Sequence, residues 1–396
     1  MLMWLTIVLT VATLLTCYLG WRLINPAPLT RKWKLVGWAL VAVLLFGQWL
    51  IRFLGRGALE GELMNLVQWV GYIFLGLVSI LVVLMLARDF PILVKRVMTV
   101  LETLFGHRSR RPYFIRPNRE RRRFLLNASN AVILTATMPI TGYGIFEARR
   151  TPSVIHNDLP VPDLPEGLDG FTIAQITDTH IGPTIRGEWL QRVVNEVNAL
   201  SPDMIVHTGD MVDGTVAALN GAVGSLGELK APYGTWFCTG NHEYYSGVQP
   251  WLRKIRELGM TPLNNEHRLI DTGRGRILLG GVTDIRGGSV YPSHKSSPTQ
   301  AMADAPEHDV SILLAHQPRS VFEASKAGFN IQLSGHTHGG QYFPYTLAIH
   351  LFQPYVRGLH LHENTLLYVS MGTGYWGPPV RLGTEPEITL HTLRRV

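Results

Sequence analysis

Five short islands in the C-terminal half of the chain hold residues able to bind metal and move protons. They are Asp178-Thr-His180, Gly209-Asp210-Met-Val-Asp213, Gly240-Asn241-His242-Glu243, His316, and Gly335-His336-Thr-His338. Asp178 and His180 stand two apart, so an extended strand end turns both to one side. Asp210 can bridge two cations, because a carboxylate has two oxygens and about four lone-pair sites. Asn241 offers a neutral amide oxygen, and His316, His336 and His338 offer imidazole nitrogens, which suit Zn, Fe, Ni or Mn rather than Ca or Mg alone. Gly209, Gly240 and Gly335 permit sharp turns that aim these side chains. One such island is a weak signal, since short motifs match by chance. Five in this order offer the ligand types of a two-metal hydrolytic centre.

The elements that must position them are legible too. Each island follows an apolar run that reads as a buried strand: Ile173 to Thr177, Met204 to Thr208, Thr235 to Thr239, Val310 to Ala315 and Phe329 to Leu333. Polar ligands at the ends of successive buried strands converge on one crevice, where open α/β sheets hold their sites. Between the runs, residues 188–200 and 251–258 space their apolar residues for one helical face. The alternation predicts an α/β fold with a largely buried sheet. His207 sits mid-strand and reads as a core histidine. Asp284 reads as a strand-end cap, and His350, His360 and His362 as loop residues.

Taken together, the islands resemble the calcineurin-like metallophosphoesterase superfamily, and more closely its membrane-associated YkuE/YaeI-like branch. Leu333-Ser-Gly-His-Thr-His-Gly-Gly-Gln341, Gly240-Asn-His-Glu-Tyr-Tyr245 and the tail Pro379 to Thr389 carry the likeness, which spans about residues 155–396. The resemblance implies a two-sheet β-sandwich flanked by helices and two divalent metal ions (Mn, Zn, Fe or Ni). It implies a first metal held by Asp178, His180, Asp210 and His338, and a second by Asp210, Asn241, His316 and His336. His242 would serve as acid or electrostatic stabiliser at the leaving group, oriented by Asp213. The family often has Asp where this chain has Glu243, and Arg where it has Gly214. The second difference leaves the cation that steadies the phosphate open between Arg381 and Arg286. Two metals would clamp the attacking and leaving oxygens of an in-line displacement and make hydroxide accessible near neutral pH. No Walker loop, Gly-x-Ser-x-Gly elbow or Rossmann fingerprint is present.

The N-terminal part reads differently. Residues 1–150 hold 19 Lys/Arg and 6 Asp/Glu, whereas 151–396 hold 17 and 23. The overall charge of +7 is therefore no nucleic-acid footprint, because the C-terminal part is mildly acidic. Cys17 and Cys238 lie in unrelated settings, so no disulfide framework is expected. Apolar segments at about 3–23, 35–53, 63–87 and 124–146 predict a transmembrane region over 1–150 with about four helices, each near the ~20 residues a span needs. Residues 151–169, rich in Pro, Asp and Gly, read as a linker to a domain at 170–396. Basic loops after segments one and three, set against a neutral loop containing Arg52, Arg56, Glu60 and Glu62, orient the chain as a multi-pass inner-membrane (cell membrane) protein. Its catalytic domain would lie on the outer face. Arg121-Arg122-Arg123-Phe124-Leu125 also looks like a twin-arginine export signal, and a plain positive-inside anchor is the simpler reading.

The expected function is hydrolysis of a phosphomonoester, phosphodiester or pyrophosphate bond, in a phosphorylated small molecule or a lipid-linked substrate of the envelope. The expected partner is the lipid bilayer, with no nucleic acid; the oligomeric state stays open. The alternative is a membrane protein whose metal domain binds a ligand or partner without turnover. An intact His242 favours the enzyme, since a binding module need not keep an acid. A transporter is disfavoured because the first three segments carry no ionisable residue in mid-membrane.

Overall fold

The computed structural model describes residues 2–54, 62–105 and 118–396, which form two compact units, Met1–Tyr143 and Gly144–Val396. The first unit is helical, with helices Leu2–Leu19, Arg31–Leu54 and Glu62–Leu104; a fourth helix, Arg119–Arg149, begins in it and ends in the second unit. The four apolar segments all fall on helices. Among the described residues, two are long and apolar enough to cross a membrane, Met64–Leu104 and Arg119–Arg149, and Leu9–Ile24 is a shorter apolar run. Ala12, Leu19, Leu45, Val78, Leu81, Val82 and Met85 pack together. Just past the expected end of segment three, Asp89 accepts from Tyr18 Oη at 2.9 Å and Arg88 Nε at 2.8 Å, and pairs with Arg22. Arg56, Glu60, Arg108, Arg110, Arg111 and Arg116, which enter the topology reading, lie outside the described residues.

The second unit holds twelve strands among the described residues: β1 (Ser153–Val161), β2 (Thr172–Ile176), β3 (Met204–His207), β4 (Thr235–Phe237), β5 (Met260–Pro262), β6 (Glu266–Asp271), β7 (Arg276–Gly281), β8 (Val310–Leu314), β9 (Ile331–Ser334), β10 (Gly358–His362), β11 (Thr365–Val369) and β12 (Glu387–Arg395). They form two mixed six-stranded sheets, ordered β1-β12-β2-β3-β4-β5 and β10-β11-β9-β8-β7-β6. In the first, β12 runs antiparallel to β2 and the other neighbours are parallel. In the second, β7, β8, β9 and β11 run parallel, with β6 and β10 antiparallel at the edges.

Strand alternation sorts the apolar residues between layers. Ile173, Met204 and Val206 of one sheet meet Ile277, Leu279, Ile312, Leu314, Ile331 and Leu333 of the other in a shared core. Their neighbours Ala174 and Ile205 face the opposite way, beneath Trp189, Leu190, Val193, Val194 and Val197 of helix Gly187–Ala199. Leu313 turns outward to Ala301, Ala324 and Phe329. Each such side chain contributes about 1.5–3 kcal/mol by burial, which fixes the strand ends that carry the site.

Two expectations need correction. The stretch read as a linker contains β1, nine residues long and paired in parallel with β12. Leu159 and Val161 are buried while Asp158 is exposed; an edge strand with one wet face has the low hydropathy that a linker also has. The unit accordingly begins at Gly144 rather than at residue 170. His360 and His362 lie on β10, not in a loop.

Candidate metal centre

The islands occupy the C-terminal ends of five parallel strands. Asp178 and His180 follow β2, Asp210 and Asp213 follow β3, Asn241 and His242 follow β4, His316 follows β8, and His336 and His338 follow β9. The first three strands belong to one sheet and the last two to the other, so the residues meet at strand ends contributed by both sheets. Five of them leave their strands in the left-handed region: Asp178, His180, Asp210, His336 and His338 have φ between 44° and 73°. Such conformations cost of order 1–3 kcal/mol each and persist only where the surroundings over-determine them. Asp178 N–H donates to Gly209 O at 3.0 Å and His180 N–H to Asp210 O at 3.1 Å, which locks the first two islands together.

The glycines act differently from expectation. Of Gly209, Gly240 and Gly335, Gly209 alone has positive φ, at 92°. Gly240 and Gly335 are needed for space: a Cβ on Gly240 would lie 2.1 Å from Asp210 Oδ1, and one on Gly335 the same distance from Asp178 Oδ2.

Among the described residues three groups of side chains bring ligand atoms together: Asp178, His180 and His338; Asp210, His316 and His336; and His180, Asp210 and His242, which links the first two. In the first, the Nε2 atoms of His180 and His338 are 3.1 Å apart, at 3.9 and 3.4 Å from Asp178 Oδ1. In the second, His336 Nδ1 lies 3.2 Å from His316 Nε2, which is 3.1 Å from Asp210 Oδ2. Asp210 Oδ2 also stands 3.9 Å from His180 Nε2, so this one carboxylate faces both groups. Asn241 is buried and its Oδ1 has no hydrogen-bond partner among the described residues. Facing ring nitrogens and an orphaned buried acceptor are costly unless a cation lies between them. The donor set therefore fits divalent metal on its own chemistry.

Outer contacts fix the rings. His316 Nδ1–H donates to Thr208 O at 2.8 Å, which turns Nε2 toward Asp210 Oδ2. His180 Nδ1 lies 3.2 Å from Asp213 Oδ1, and the same oxygen holds His242 Nδ1 in a short contact. Asp178 accepts from Thr177 Oγ1 at 2.8 Å and His336 N at 2.9 Å, and Asp210 Oδ1 accepts from His242 N at 2.8 Å. Burial, then repulsion from His316, pushes the His336 ring down to about 3; burial and His180 hold His338 low as well, so both are neutral. Burial would raise the Asp210 carboxyl, but His316 and His242 hold it well below the usual range. For His242, burial pulls down, and Asp210 and Asp213 together push the ring up to about 9.

Three roles escape the motif reading. Glu243 is fully buried and accepts the N–H groups of Gly240, Met211 and Asp210 at 2.7, 2.8 and 3.0 Å, tying the second island to the third. Arg381 is fully buried and spends its guanidinium on the carbonyls of Met371, Gly372, Gly374 and Glu385. Its Nη2 lies 3.4 Å from His338 Nδ1, and it is removed as a phosphate-facing cation. Arg286 is exposed, with Nη1 3.4 Å from Tyr245 Oη. The His242 ring is flanked edge-on by Tyr245 and Trp376, with centroids 5.2 and 6.1 Å away. Tyr245 follows His242 by three on one short helix, whereas nothing in the sequence links Trp376 to it. As expected, His207 is buried in the core, against Phe237, and Asp284 caps Arg286 N at 2.8 Å while accepting from Gln317.

Comparisons with known proteins point to one family. The family model for calcineurin-like phosphoesterases matches residues 171–340. A transmembrane protein with metallophosphoesterase domain from Danio rerio is 37% identical over 273 residues, covering 67% of this chain and 62% of its own length. A metallophosphoesterase of Aquifex aeolicus is 33% identical over 234 residues, 58% of this chain and 87% of its own. The metallophosphoesterase YkuE of Bacillus subtilis is 29% identical over 285 residues, 69% of this chain and 97% of its own. The chain thus spans about three fifths of the length of the Danio rerio protein, and the same share of its Bos taurus counterpart.

Proposed function

Because this chain belongs to the calcineurin-like metallophosphoesterase family, we propose that it is a membrane-anchored, two-metal phosphoesterase whose site is the cluster around Asp210. Asp178, His180 and His338 with Asp210 would hold one ion; Asp210, Asn241, His316 and His336 would hold the other. When bound, such a pair supplies charge neutralisation at the phosphoryl oxygens and makes hydroxide accessible near neutral pH. The chain's own contribution is order. Asp213 takes the Nδ1–H of both His180 and His242, so the Nε2–H of a protonated His242 is free for the leaving oxygen. Asp213, accepting at Nδ1, favours the protonated ring for that transfer. Glu243 keeps Gly240 and Asp210 in register while this happens. The single observation that carries the reading is Asp210 Oδ2, 3.1 Å from one imidazole of the second group and 3.9 Å from one of the first.

The finer reading is a multi-pass protein of the inner (cell) membrane with four spans and its domain on the outer face, acting on an envelope or lipid-linked phosphate. Basic loops after segments one and three support it, as do two helices long and apolar enough to cross a membrane. The full chain in detergent, supplied with Mn, Zn, Fe or Ni and offered phosphomonoesters, phosphodiesters and pyrophosphates, should release phosphate or its monoester. Tight metal binding with no turnover on any class would instead favour a non-catalytic metal-binding domain.

A further inference from the structure

Directly behind His338 the chain leaves the rim of the site on a rigid stalk. Gln341 is buried: its Oε1 accepts from Trp376 N at 2.8 Å and its Nε2 donates to the carbonyls of Trp376 and Pro378 at 3.0 and 3.1 Å. Tyr342 bridges to Leu382 and packs edge-on against Tyr345, with centroids 5.1 Å apart. Beyond the stalk, a helical turn over Tyr345–Ala348 runs on into Ile349–Leu351. Its side chains are the reverse of an ordinary loop. Phe343, Leu347 and Leu351 recur at every fourth position, and with Tyr345 and Phe352 all are at least half exposed, Leu351 reaching 81%. Loops are normally polar at the surface, and contiguous exposed apolar patches mark interaction sites.

We infer that this lip, residues 343–352, inserts into the headgroup boundary of an anionic bilayer beside the metal site. Four observations choose a bilayer over another occupant. First, the tip strands few backbone donors: the N–H groups of Leu347 and Ala348 reach Pro344 O, and those of Phe352 and Gln353 reach Ile349 O. That closure is what an apolar phase demands. Second, Tyr345 and His350 offer polar tips among apolar bodies, the composition of an interfacial belt. Third, no acidic residue occurs from 341 to 362, whereas Arg357 is exposed and Arg319 Nη2 donates to Phe352 O at 3.0 Å, so the rim is cationic and complements anionic headgroups. Fourth, the unit carrying the lip begins within helix Arg119–Arg149, itself apolar enough to cross a membrane, so connectivity keeps a bilayer within reach. The inference rests on the membrane-anchored reading above and adds a consequence. A lipid-linked phosphate would reach the metal cluster without leaving the bilayer.

The test uses the full chain in nanodiscs containing phosphatidylglycerol, with Cys17→Ser removing the exposed thiol; Cys238 is buried. Leu351→Cys, and separately Phe352→Cys, receives an environment-sensitive fluorophore. The expected result at both positions is a blue-shifted emission, quenched by a nitroxide on the upper acyl chain and protected from aqueous iodide. Emission quenched by iodide but untouched by the lipid nitroxide overturns the proposal. So does self-quenching that grows with the number of copies per disc, which would make the occupant a second copy of this chain. The readout needs no turnover, so an inactive but lipid-quenched protein would refute the phosphoesterase reading alone.

Discussion

Gly335→Ala isolates the geometry of the first ligand group with a single added methyl. The backbone of Gly335 does not lie in the left-handed region, so alanine brings no conformational strain of its own. The added Cβ would lie 2.1 Å from Asp178 Oδ2 and 2.4 Å from Thr177 Oγ1, against ordinary contact beginning at 3.4 Å. Something must therefore yield by about 1.3 Å, and neither neighbour has a long flexible stem. Asp178 is buried and held by Thr177 Oγ1 and His336 N. Overpacking of this kind costs about 1–3 kcal/mol of stability. Its functional effect is larger, because metal ligands tolerate displacements of only about 0.2 Å and a 1 Å misplacement costs on the order of 10²-fold in rate. Turnover of an aryl phosphate should fall by about that factor and metal affinity by roughly 10–100-fold, with the thermal transition only a few degrees lower. Gly221→Ala, with open space around its Cβ, should change neither. A Gly335→Ala protein with full turnover and full metal content would show that Asp178 is not held where the chemistry needs it.

Other outcomes follow from the same geometry. His242→Ala should lower turnover by roughly 10²–10⁴-fold with metal content intact, and by less for substrates with very good leaving groups; equal losses across leaving groups would refute the acid role. In metal-stripped protein His242 should titrate near 9, raised by Asp210 and Asp213 over the opposing effect of burial. Its stabilising contribution is then full below the ordinary histidine value of about 6.5 and lost as pH rises through about 9; an NMR midpoint at or below 6.5 would contradict it. A phosphatase-type reporter fused after Val396 should be active outside the cell, and activity only of a cytoplasmic reporter would invert the topology and redirect the substrate search.

The strands that end in candidate ligands are legible because each is a short apolar run closed by a polar or glycine residue, and the sheet needs both faces buried. Asp178, His180, Asp210, Asn241, His316, His336 and His338 are adjacent to such runs, so local sequence carried them. β1 was not legible, because an edge strand with a wet face has no apolar run to announce it; its partner β12 lies more than two hundred residues away. From sequence Glu243 is only a departure from the family's usual Asp, and Arg381 a candidate phosphate cation. Burial decides otherwise, since each is consumed by backbone groups brought together only by the fold. Trp376 reaches His242 through the turn held by Gln341, a contact that no spacing encodes.

The proposed function requires one carboxylate, Asp210, to hold two cations. Elemental analysis of active full-length protein, paired with Asp210→Asn, addresses it directly. The expected result is two divalent metals per chain in the parent, with metal retention and turnover lost together in the variant. One metal or none in active protein, or an Asp210→Asn variant that keeps both ions and full activity, would contradict it.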